Sequence, residues 1–200
     1  MASHHRWFFG FGSLVNDHTL PAGTHWTPAT LHGWRRSWRH AIAVDPPWCA
    51  LDVLPHAGTA IDGLLIRETA TLAPLLAARE QGYTPTPLAL SDVSVELPDG
   101  DSAWIWVSQS PATDQQLGCL AQSYVDCVLA GFARHFGEDG VDRFIASTDG
   151  WHRPLIADRG SPRYPRAVAL DAPERALVDR RVASAQHAAI AAHREVTECE

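Results

Sequence analysis

Glu80 is the residue of this chain best placed to move a proton. It follows Leu72 and Leu76 at four-residue steps, so on a helix its carboxylate falls on the stripe that the leucines turn toward the core. Burial against that stripe and the negative end of the helix dipole, close to a stop at Gly82, both favour the neutral acid and raise its pKa. Arg79 opposes both if it turns inward. A carboxyl so placed is either half of a buried ion pair or a general acid/base.

The second group is a turn. Phe8-Phe9-Gly10-Phe11-Gly12-Ser13-Leu14 is an aromatic run that favours a strand, ending in a Gly-Ser turn. Gly10 and Gly12 let the backbone approach something that a side chain would block, and a turn of this kind can point successive N–H groups at a carboxylate or an oxyanion. It can equally be a strand end that turns because glycine turns. Gly10-Phe11-Gly12 is no dinucleotide fingerprint, since Val15 occupies the third glycine position and no β-α-β pattern follows. Ser13 has no glycine two residues on, so it is no nucleophile elbow.

Other chemistry is excluded by composition. All 16 basic residues are arginine, which removes Schiff-base, pyridoxal-phosphate and P-loop lysine mechanisms. The 11 histidines form no H-E-x-x-H pair, so no metal site is expected. Cys49, Cys119, Cys127 and Cys199 make no C-x-x-C pair, which points to reduced thiols and a cytoplasmic protein, with Cys119 and Cys127 on one helix. A net charge of −7 argues against nucleic acid and anionic membrane as partners. Residues 1–15 lack a signal-peptide pattern, and no apolar stretch approaches the length that spans a bilayer.

The elements that must position these groups follow from periodicity. Strands are expected at 7–11, at 29–44 with an apolar set at even positions, and at 59–66, with Asp45-Pro46-Pro47 interrupting the pairing. A helix is expected at 72–81, with Pro74 in its first turn. A strand at 86–97 should turn at Pro98 to Asp101 and pair with 103–107, whose two faces are both apolar, as in a central or barrel strand. Helices are expected at 115–136, 139–146 and 173–195, separated by an irregular segment at 148–166 that is long enough to be functional. The order predicts a single α+β domain over residues 1–200 with an antiparallel or mixed sheet.

Four of these segments together resemble the γ-glutamylcyclotransferase superfamily. Phe9-Gly10-Phe11-Gly12-Ser13-Leu14 resembles its Y-G-S-L or Y-G-S-N loop, and Ala78-Arg79-Glu80-Gln81-Gly82-Tyr83 resembles its L-D-x-R-E-x-G-Y segment, whose Glu is catalytic. Leu31-His32-Gly33-Trp34-Arg35-Arg36 and Gly63-Leu64-Leu65 resemble the strands between them, in the same order. Phe11 stands where the family usually has Tyr, Ala77-Ala78 replaces Leu-Asp, and the W-G-x-A-Y segment of the glutathione-specific ChaC branch has no counterpart.

The resemblance implies a small closed or nearly closed mixed β-barrel surrounded by α-helices, with the barrel at about 6–110 and a helical, loop-rich part at about 114–200. It implies that a γ-glutamyl compound cyclises to 5-oxoproline and releases an amine, amino acid or peptide, without cofactor or metal. In that scheme Glu80 is the general acid/base, and Phe11, Gly12, Ser13, Leu14 and Tyr83 bind the substrate. The length and position of the irregular segment, and not the resemblance, make Tyr164 and Arg163 the polar candidates for binding the substrate on its leaving-group side. A non-catalytic member of the same fold, binding a γ-glutamyl or peptide ligand, is the alternative.

Overall fold

The computed structural model describes residues 4–109 and 118–197. Strand β1 (Arg6–Gly10) buries Trp7, Phe8 and Phe9 and ends at Gly10, where the aromatic run meets its turn. A 3₁₀ turn, Ser13–Val15, follows directly. The long strands β2 (Trp26–Ile42) and β3 (Trp48–Arg67) pair antiparallel across the Asp45-Pro46-Pro47 break. β3 starts well before the expected strand at 59–66. Pro55 to Gly58 carries a turn signal, yet here it forms a bulge: pairing jumps from His32–Ala60 to Trp34–Pro55, and Gly33 and Gly58 take φ of 79° and 81°.

Helix α1 (Ala73–Arg79) has its proline in the first turn and leads into β4 (Tyr83–Leu88), which pairs antiparallel with β5 (Ser102–Ser108). The hairpin exists, but its first strand is not 86–97. Pro85 and Pro87, which argue against a strand, are accommodated because β4 is an edge. Val93 makes only an isolated bridge to Leu31. β5 lies between β4 and β1, and it has buried residues of both parities, Ala103 and Ile105 on one face and Trp106 on the other, with Trp104 and Val107 partly buried.

The helix expected from 115 begins later, and its first three positions, 115–117, lie outside the described residues. A short strand β6 (Leu120–Ala121) comes first, then α2 (Gln122–Ala146), broken at Gly137 (φ 69°, ψ −171°) between the two expected helices. Cys119 therefore precedes the helix that carries Cys127. From Ser123 to Phe132 every residue of α2 is buried, because β3 packs on one side and α3 (Ala172–Thr197) on another. α3 contributes Leu177, Val178, Val182 and Ala185. Between the helices, β7 (Thr148–Asp149) pairs with β2, and β8 (Leu155–Ile156) with β6.

The result is a mixed sheet in the order β4-β5-β1-β3-β2-β7, with β6-β8 as a small second sheet. It is not closed into a barrel, as the resemblance had implied. The reason lies at the two edges: Pro85 and Pro87 offer no N–H to a further strand, and β7 is only two residues long. No helix among the described residues is long and apolar enough to cross a membrane.

Candidate active site

The turn after β1 is held from behind by a buried arginine. Arg36 on β2 is 0% exposed, and its guanidinium lies between the rings of Phe132 and Phe144, 4.9 and 4.8 Å from their centroids. Its Nε donates to the Phe11 carbonyl at 2.8 Å, Nη1 donates to Ser147 Oγ at 2.9 Å, and Nη2 donates to the Asp62 carbonyl. Burial lowers its pKa to about 9, against an opposing pull from Asp62, so the charge is kept at neutral pH. On the far side of the turn, buried Asn16 donates to the Cys127 carbonyl at 2.9 Å, and a Cβ on Gly131 would meet the Asn16 nitrogen at 2.6 Å. The turn is thereby fixed to both β2 and α2.

Within the turn, Val15 N–H donates to the Gly12 carbonyl at 2.9 Å and Asn16 N–H to the Ser13 carbonyl at 3.2 Å. The N–H groups of Ser13 and Leu14 precede these bonds and have no acceptor in the turn. Gly10 and Gly12 are places of close approach, as expected, but what approaches is the protein itself. A Cβ on Gly10 would meet Leu14 Cβ at 2.7 Å, and one on Gly12 would meet Leu51 Cδ1 at 3.1 Å and Tyr124 Oη at 3.2 Å.

Glu80 is the residue at which α1 ends, not one of its interior residues. Its N–H still donates to the Leu76 carbonyl at 2.9 Å, which keeps it in line with the leucine stripe. Gly82, at φ 85°, then turns the chain into β4. The Glu80 side chain is 13% exposed, and burial raises its pKa to about 7, opposed by the charges of Arg79 and Arg166. Arg79 does turn inward: Nη2 donates to Ser13 Oγ at 3.0 Å and Nη1 to Thr19 Oγ1 at 2.9 Å, while Nε stands 3.7 Å from Glu80 Oε1 and is otherwise unpaired.

Tyr83 is pinned at both ends. Its hydroxyl donates to the Leu51 carbonyl at 2.6 Å, and its ring stacks on His40 at 4.0 Å. His40 Nδ1 is 3.0 Å from Ser108 Oγ, and Ser108 N–H donates to buried Asp52 at 2.9 Å. Burial, reinforced by Tyr124 and Glu80, keeps the Tyr83 hydroxyl protonated.

Phe11, Gly12, Ser13, Leu14, Glu80 and Tyr83 line one cavity of about 20 Å³, with Leu51, Trp106 and Tyr124 completing its wall. That is room for about one water. Of the residues expected at the site, Tyr164 and Arg163 stand outside the lining. Tyr164 reaches the same cluster through Tyr124, ring to ring at 4.8 Å, and through Arg79, whose Nη2 is 3.4 Å from its hydroxyl. Arg163 is turned away, donating to the Pro46 carbonyl at 3.1 Å.

Sequence reasoning did not single out Leu51, Trp106, Tyr124 or Arg166. Tyr124 was visible as a polar tip on an apolar helical stripe, whereas Leu51 and Trp106 carry no local signal. Arg166 was one of several arginines in an irregular segment. Among the described residues, no group of three or more His, Cys, Asp or Glu is arranged to hold a metal ion.

The architecture is shared with solved structures. A γ-glutamyl cyclotransferase superposes with a TM-score of 0.56 at 9% identity, covering 88% of this chain and 99% of its own. An uncharacterized protein from Homo sapiens matches with a TM-score of 0.56 at 10% identity, over 88% and 99% of the two chains. YkqA from Bacillus subtilis matches with a TM-score of 0.52 at 17% identity, over 74% of this chain and 57% of its own. No family model and no curated protein matches the sequence. The chain has the γ-glutamylcyclotransferase-like fold.

Proposed function

We propose that the chain acts as one domain and is a γ-glutamylcyclotransferase-type enzyme, in which the α-amine of a γ-glutamyl compound attacks its own γ-carbonyl. The products are 5-oxoproline and a free amine, amino acid or peptide. The carrying observation is that a buried carboxyl with a pKa raised to about 7 shares a cavity with the Gly12–Leu14 turn. A group with that pKa accepts and returns a proton with little loss either way at neutral pH.

Atoms balance without a cofactor. The α-ammonium loses two protons as it becomes the lactam nitrogen, and the leaving nitrogen gains two as it departs as an ammonium. Glu80 carries them one at a time. The N–H groups of Ser13 and Leu14 face the γ-carbonyl oxygen as it gains charge, with Arg79 fixing the Ser13 hydroxyl beside them. Tyr83 and Tyr124 stay protonated and supply the dry wall, and Phe11 contributes bulk with no hydroxyl. Nucleophile and electrophile belong to one molecule, so holding it folded supplies much of the rate. A glutamyl group exceeds the space of one water, so it enters as the cavity walls separate.

Cys49, Cys119 and Cys127 are free thiols, which supports a reducing, cytoplasmic setting. The test is incubation of the protein with γ-glutamyl-amino acids, γ-glutamyl-amines and glutathione, with detection of 5-oxoproline. Release from at least one class is expected. Binding of these compounds with no release would identify a non-catalytic binder instead.

A further inference from the structure

A trough runs beside the Glu80 cavity. Two cavities of about 410 and 220 Å³ share Pro21, Leu72 and Leu75, and the larger lies in the size range of ligand sites. Its floor is apolar, formed by Leu20, Pro21, Leu72, Leu75 and Leu76, and Leu75 is 54% exposed. Its inner end is charged. Arg79 is the partition there: the same guanidinium donates to Thr19, on the trough, and to Ser13, in the Glu80 cavity.

Arg166 stands at that end, half-buried. Among the described residues its side chain makes no hydrogen bond and no ion pair. Arg159, by contrast, is held by both Asp126 and Asp179. Arg166 is close enough to Glu80 to act on its carboxyl. A half-buried guanidinium near the Glu80 carboxyl but with no hydrogen bond or ion pair of its own among the described residues, at the head of an apolar channel, is complemented by a carboxylate attached to an apolar group.

We propose that this trough binds the leaving group, and that the leaving group is an amino acid with a bulky apolar side chain, its free carboxylate on Arg166 and its side chain over Leu72 and Leu75. The inference rests on the cyclotransferase reading above. If the glutamyl end lies at Ser13 and Glu80, the leaving nitrogen takes its proton at Glu80 and the rest of the leaving group must extend outward past Arg79 and Arg166. A glycine leaving group would leave the trough empty. An amine would leave Arg166 unmatched.

The experiment compares kcat/KM for three substrates: γ-glutamyl-leucine, γ-glutamyl-glycine, and γ-glutamyl-isopentylamide, which keeps the leucine side chain without the carboxylate. γ-Glutamyl-leucine should exceed each of the others by about tenfold or more. Arg166→Met should collapse the leucine-to-isopentylamide ratio toward one, and Leu75→Ser, at an exposed position, should collapse the leucine-to-glycine ratio. Equal values for the three substrates in the parent, or variants that leave both ratios unchanged, would overturn the proposal. If no substrate releases 5-oxoproline, calorimetric binding of the same three compounds separates the two ideas. A retained preference for the leucine compound would support the trough and sink the catalytic reading, whereas equal or absent binding would overturn the trough.

Discussion

Glu80 and Gly12 carry the claims that belong to single residues. The Glu80 carboxyl titrates at about 7 in the folded chain against an ordinary value of 4.5. The folded state therefore holds a proton that the unfolded state has lost between those values, so the contribution of Glu80 to stability falls as pH rises through that window and is constant on either side of it. Glu80→Gln removes that contribution. Its advantage over the parent should be absent below the window and reach about 2 to 4 kcal/mol above it, measured as unfolding midpoints across pH. Parent kcat/KM should rise over the same window, because only the ionised carboxyl takes up a proton. Gly12→Val makes a different test. The added methyls enter a cavity that holds about one water, at a cost in stability of about 1 to 3 kcal/mol, while turnover should fall by at least about a hundredfold. A folded Gly12→Val protein with full activity would show that the turn is only a turn. The raised pKa of Glu80 was legible in the spacing of Leu72, Leu76 and Glu80. That Arg79 reaches Ser13 and Thr19 was not, because adjacency in sequence does not say which way a long side chain turns.

Strands and helices place these residues through contacts that lie far apart in the sequence. Arg36 shows how: one side chain on β2 fastens the Phe11 peptide and the Asp62 peptide of β3 under two phenylalanines of α2. Arg36→Met fills similar space but leaves those carbonyls unpaired, so the unfolding midpoint should drop by the equivalent of about 3 kcal/mol or more. A variant as stable as the parent would mean that Arg36 does not hold the turn. The elements that were legible have simple periodicity or strong punctuation: β1, α1 with Pro74, and α3. The first half of β3 was hidden by Pro55 and Gly58, which form a bulge in the paired ribbon. β4 was hidden by Pro85 and Pro87, which signal a break unless the strand is known to be an edge. α2 was assigned one apolar stripe, although its first turns are buried all round, since only the assembled fold shows how many neighbours a helix has.

At the scale of the whole chain, the order of four weak motifs pointed to the right architecture, at an identity of 9% to a γ-glutamyl cyclotransferase of the same fold. Closure into a barrel was not legible from that order. It depends on whether two edges can pair, which Pro85, Pro87 and the brevity of β7 decide. The fold brings a turn from one end of the sheet, a carboxylate from the end of a short helix and a tyrosine from α2 into a single cavity. The central claim is that this cavity turns over a substrate with Glu80 as its acid and base. The most direct measurement is 5-oxoproline release by Glu80→Gln beside its thermal midpoint, at mildly alkaline pH with a γ-glutamyl substrate. The side chain keeps its shape and loses the ability to accept a proton, so the barrier should rise by about 3 to 5 kcal/mol, at least a hundredfold in rate, with a midpoint above that of the parent. A Gln variant that is less stable than the parent yet fully active would show that Glu80 is the structural partner of Arg79 and Arg166, and would contradict the account.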